Sequence, residues 1–64
     1  MQEYQQRVVD EKVALDDKCE KLSKFFSSEK AKSLSPEERL MLAEQGYRMT
    51  QYSNVLGRRI AAFK

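Results

Sequence analysis

The heptapeptide Leu34-Ser35-Pro36-Glu37-Glu38-Arg39-Leu40 decides how this chain folds. A serine followed by a proline and two acids marks the start of a helix. The Ser35 hydroxyl can accept from a free backbone N–H of the first turn, and Pro36 at the first helical position lacks the N–H that would otherwise go unpaired. Glu38 stands where its carboxylate can reach back to complete a capping box. Replacing Ser35 by alanine is expected to cost about 1 kcal/mol. Downstream, Leu42, Met49, Leu56 and Phe63 recur at intervals of seven, with Tyr52 and Ile60 in the same ~80° arc. These signals predict a helix over residues 36–63.

Upstream of the cap, FSSEKAKSLSP (residues 26–36) carries four serines and the only proline of the chain, which predicts a loop over about residues 28–35. Residues 2–26 contain neither glycine nor proline and read as a helix over about 2–27. On a wheel of ~100° per residue, Tyr4, Val8, Leu15, Cys19, Leu22 and Phe26 share an arc of roughly 60°, which the pleat of a strand would scatter. Glu3 with Arg7, Asp17 with Lys21 and Glu20 with Lys24 stand four apart with the acid first, each pair contributing a few tenths of a kcal/mol. The connection is short enough to force the helices antiparallel. The predicted fold is all-α, an antiparallel two-helix hairpin in a single domain over residues 1–64.

Composition narrows the function classes. A chain of 64 residues holds one small domain, and 34% charged residues with a mean hydropathy of −0.75 describe a protein made for water. No stretch approaches the ~18 continuous apolar residues of a membrane span, and MQEYQQR lacks the basic start and apolar core of a signal peptide, so a cytoplasmic location is expected and no membrane partner is. A net charge of +2 is too small to imply nucleic acid by itself. One cysteine, Cys19, on the apolar face reads as a packed thiol, and without histidine the usual zinc sites are excluded.

Two helices that bury one face each make a marginal core, since apolar burial and conformational entropy roughly cancel at this size. Val9, Val13, Leu40, Tyr47 and Val55 lie outside the main arcs and offer further surface to bury. Self-association into a helical bundle, as a dimer or higher closed oligomer, is therefore expected. Beside the large apolar stripe of the second helix runs a small-residue stripe, Ala43, Gly46, Thr50, Ser53, Gly57 and Ala61. Two glycines inside a helix cost ~1 kcal/mol each relative to alanine. Close approach of another backbone would explain them, and this stripe is the candidate oligomer interface.

Catalysis is disfavoured on chemistry. The chain has no histidine, Cys19 sits among Leu15, Leu22 and lysines, and no Gly-rich phosphate loop or metal spacing occurs. No cofactor is expected. After Glu44 no acid follows, while Arg48, Arg58, Arg59 and Lys64 do. Cations at a helix C-terminus offset its dipole. They also make an anion site conceivable, in which Arg58 or Arg59 grips phosphates while Tyr47, Thr50, Tyr52 and Asn54 supply stacking and hydrogen bonds. These six residues are the candidate ligand-binding set.

The combination YQQRVVDEKVALDDKCEKLSKF, then LSPEERLMLAEQ, then Met49 and YSNVLGRRIAAF resembles a family of very small phage and prophage proteins named after an open reading frame of a crAss-like phage. The resemblance covers roughly Tyr4 to Phe63, with Tyr52, Val55, Leu56, Arg59 and Ile60 matching a closing Tyr-x-x-Val-Leu-x-x-Arg-Ile pattern. It implies phage origin and brings no catalytic residues with it. The functional expectation is an accessory binding protein that counters a host defence or regulatory system through an oligomeric helical surface, with a host protein as partner. The alternative is an oligomeric sponge for cyclic nucleotide immune signals, similar to helical-hairpin anti-defence proteins that bind such signals between subunits. Association with nucleic acid is the weakest reading, because acids balance the bases along the first helix.

Overall fold

Helix α1 runs from Glu3 to Phe26 and helix α3 from Pro36 to Ala61, and a single-turn helix, α2 (Glu29–Lys32), sits between them. The computed structural model describes all residues, 1–64, with no strand. The long helices pack antiparallel into a rod of 47 × 15 × 13 Å. Both boundaries of the long helices fall within two residues of those expected. The start of α3 forms as its sequence demands: the Glu38 backbone N–H donates to Ser35 Oγ at 3.2 Å, with Pro36 at the first helical position. The return bond from the Glu38 carboxylate, which would have closed a capping box, is not formed.

The connection differs from the plain loop expected over 28–35. Glu29-Lys30-Ala31-Lys32 are good helix formers, and they wind one turn that encloses Ala31 completely. Ser28 and Ser33 donate their hydroxyls to the carbonyls of Phe25 at 2.6 Å and Lys30 at 2.7 Å, so the serines end the helical turns that precede them. Four residues are too few to show a periodicity.

The core is thin. Val8, Leu15 and Leu56 are its buried large side chains, with Met49, Ile60 and Phe63 packed against them and only Leu56 fully enclosed. Cys19, Leu22, Phe26 and Leu42 are half-buried on the faces assigned to them. At the open end the Tyr4 ring meets Phe63 edge-on, centroids 5.9 Å apart, although Tyr4 keeps 57% of its surface exposed. The three acid-first ion pairs of α1 form, Glu3–Arg7 at 2.8 Å, Asp17–Lys21 at 3.0 Å and Glu20–Lys24 at 3.4 Å.

Polar groups lock the middle of the rod. Lys12 Nζ donates to Asp16 Oδ2 at 2.8 Å and to Ser53 Oγ at 2.9 Å, and the Ser53 hydroxyl donates in turn to Asp16 Oδ1. One turn away the Tyr52 hydroxyl donates to Glu11. Ser53 is buried with all its bonding satisfied, so this triangle ties α1 to α3 and penalises any slip in register that would leave Ser53 unpaired. The Lys12 hydrogen bond first, and that of Ser53 second, hold the Asp16 carboxyl below its ordinary range.

Candidate functional site

The two faces of α3 receive different residues because a helix turns ~100° per residue. Met49, Ser53, Leu56 and Ile60 point at α1. The opposite meridian carries Leu40, Tyr47, Gln51, Asn54 and Arg58, spaced by three, four or seven, and all of them are exposed. Gln51, Asn54, Val55 and Arg58 line a shallow open groove on this outer face.

The six candidate ligand residues do not converge on one point within a single chain. Tyr47, Asn54 and Arg58 share the outer meridian. Tyr52 and Arg59 lie on one flank, with the Tyr52 hydroxyl engaged by Glu11. Thr50 lies on the other flank and donates its hydroxyl to the Gly46 carbonyl at 3.0 Å. Gln51, absent from the sequence-derived set, stands among the outer residues and donates to Tyr47 Oη at 2.9 Å. Its place between Tyr47 and Asn54 at helical spacing was the signal that could have found it.

Charge is unevenly satisfied on this helix. Arg48 lies 3.6 Å from Glu44 and 5.9 Å from the Tyr47 ring centroid, a distance suited to a cation–π contact. Arg58 and Arg59 form no ion pair within the chain. Both guanidiniums therefore present their donors to solvent, where a planar fork suits phosphate or carboxylate oxygens.

The small-residue stripe is divided between two surroundings. Gly46, Ser53 and Gly57 face α1 of the same chain. A Cβ on Gly46 would come within 3.2 Å of Leu22 Cδ2 and one on Gly57 within 3.4 Å of Lys12 Cε. The close approach at Gly46 is thus made by the chain's own first helix, whereas a Cβ at Gly57 would make ordinary contact with the flexible end of Lys12. Ala43, Thr50 and Ala61 are exposed. A second small cavity between the helices is lined by Cys19, Leu22, Ser23, Phe26, Gly46 and Thr50.

Fold and surface together define a small helical-hairpin protein whose aromatic, amide and guanidinium groups are gathered on one exposed helix face. The chain belongs to the Sequestin family, whose model matches residues 2–62. The match does not extend to the crAss-like phage naming. No curated protein and no solved structure matches the chain. No helix is long and apolar enough to cross a membrane.

Proposed function

We propose that this protein acts by stoichiometric capture and not by turnover: associated hairpins sequester a small phosphate-bearing ligand of the cyclic nucleotide class, to the benefit of a phage in its bacterial host. The observation that carries this reading is the pair of unpartnered guanidiniums, with Arg58 lining the groove alongside Gln51, Asn54 and Val55 and Arg59 on the adjacent flank. The family name, Sequestin, suggests a sequestering role and supports the same reading. Arginine forks bind phosphate in two-point fashion, amides read base edges, and Tyr47 and Tyr52 offer faces for stacking. Each such contact is weak on an open helix, so two or more copies must contribute for tight capture, which makes self-association part of the proposal.

The test is a thermal-shift and calorimetry panel of cyclic and linear nucleotides, followed by mass spectrometry of the ligand released on denaturation. At a ligand concentration 100-fold above Kd, binding to the folded form alone adds about 2.7 kcal/mol of stability. The expected result is a shift of several degrees for one nucleotide class, loss of that shift in Arg59→Glu and Arg58→Glu, and recovery of the ligand unchanged. A flat panel overturns the sponge, and a chemically altered ligand overturns sequestration.

A second reading has its own observation. Leu40 at 75% and Met41 at 62% exposure are large apolar side chains open to solvent near the start of α3. Such a patch suits a host protein as the sequestered partner. Capture of one stoichiometric protein that competes with no nucleotide would favour it.

A further inference from the structure

The exposed large side chains are concentrated on α3, where Leu40, Met41, Tyr47, Tyr52 and Val55 each keep at least 41% of their surface. On α1 the exterior carries the ion pairs Glu3–Arg7, Asp17–Lys21 and Glu20–Lys24, with Tyr4 and Val13 as its exposed large side chains. Along the outer side of α3, Glu37 and Glu44 stand toward the N-terminus, Arg48 lies at the edge of the face 3.6 Å from Glu44, and Tyr47, Gln51, Asn54 and Val55 lead on to Arg58. A surface that is acidic at one end, basic at the other and apolar to amide-like between them is complementary to its own inverted copy.

We infer that the outer face of α3 is a homodimer interface in which two copies pair antiparallel about a twofold axis at Gln51. This deepens the self-association on which the proposed function rests. Such an axis sets residues equally distant from Gln51 level with one another. Glu44 and Arg58 are each seven positions from it, so Glu44 meets the partner's Arg58 twice over by symmetry. Tyr47 and Val55, four positions either way, close the centre, and Leu40 stands level with the partner's Ala62. The Gln51 amides meet on the axis, where an amide can both donate and accept.

Three physical terms favour this arrangement. Antiparallel pairing sets the dipoles of the two helices in opposition. It gives Arg58 an acid that it lacks within its own chain, the partner's Glu44, which is shared with the Arg48 that lies 3.6 Å from it. It also covers apolar surface: a stable interface takes about 800 Å² per partner, a modest part of the 5178 Å² the chain exposes. A helix of 26 residues, rising 1.5 Å per residue over about 39 Å, is long enough to supply it. Tyr52 and Arg59 lie on the flank and remain outside the seam, whereas Arg58, Tyr47 and the groove of Gln51, Asn54 and Val55 lie in it, so in the paired form anion capture falls to Arg59 and Tyr52 along the edge of the seam.

Cross-linking and charge reversal test the geometry. In a Cys19→Ser background, Gln51→Cys should form an intermolecular disulfide under mild oxidation far faster than Val13→Cys, which places the thiol on the exposed outer side of α1. In sedimentation, Glu44→Arg and Arg58→Glu should each weaken dimerisation about tenfold or more, through like charges brought level, and the double variant should restore it. Circular dichroism verifies that each variant keeps its helix content. Cross-linking at Gln51 no faster than at Val13, or a double variant no better than the singles, overturns the pairing while leaving self-association standing. A wild-type protein that sediments as a folded monomer at micromolar concentration overturns both.

Discussion

The inner and outer faces of α3 are built on one backbone from residues one or two positions apart, and they end in opposite conditions. On the inner face Leu56 is fully enclosed, Ser53 has every hydrogen bond it can use, and Met49 and Ile60 pack against the core. On the outer face Leu40 and Tyr47 keep 75% and 59% of their surface and Arg58 has no ionic partner. Folding of the hairpin uses the first face alone. The difference teaches that the stability of the hairpin and the binding proposed for the outer face can be mutated separately, because the two faces lie on opposite sides of a helix.

The largest effect should come from breaking the inner face. Leu56→Ala removes the one fully enclosed large side chain and should cost about 2–5 kcal/mol, enough to unfold so thin a core in a thermal melt followed by circular dichroism. The matched outer change, Leu40→Ala, should leave the melt of the dissociated chain within about 0.5 kcal/mol. If the two variants melted alike, the distinction between the faces would fail. An intermediate effect belongs to the start of the helix that carries both faces: Ser35→Ala should lower stability by about 1 kcal/mol, read as a shift of the urea midpoint without a change in slope.

The smallest expected effect concerns pH and sharpens the account of the inner face. Asp16 has its carboxyl held below the ordinary range by Lys12 and Ser53. A group whose folded pKa is depressed contributes stability that is present above its unfolded pKa and is lost as pH falls through the folded one. Stability should therefore decline on acidification below about pH 4, the ordinary carboxylate range, and Asp16→Asn should flatten part of that decline. Outer-face variants such as Asn54→Ala should leave the pH profile unchanged, and a profile indifferent to Asp16→Asn would remove the carboxylate from the clamp.

Much of the hairpin was legible because its signals are local. The Ser35-Pro36 cap, the heptad-spaced Leu42, Met49 and Leu56, and the three acid-first pairs of α1 each need only neighbours within a turn or two. The α2 turn was missed because its serines read as breaks while Glu29–Lys32 is too short to show a period. The Lys12–Asp16 pair stands at helical spacing, but nothing in the sequence assigns Ser53 as its third member. That depends on the register between helices, as does the opposition of Gly46 to Leu22 and of Gly57 to Lys12.

By itself, the sequence determined two long helices, where the second begins, and that they return antiparallel, since caps, breakers and periodicity act over a few residues. The heptad stripe already marked Met49, Leu56, Ile60 and Phe63 as the inward face, and the tertiary structure alone decided which residues beside that stripe join the seam. Packing against α1 brings Leu56 into the core and Ser53 to Lys12 and Asp16. It thereby turned three members of the small-residue stripe into the hairpin's own seam and left Tyr47, Gln51, Asn54 and Arg58 facing out. A helix wheel ranks faces by composition, but only the contact between two helices determines which neighbouring residues are consumed with the ranked one.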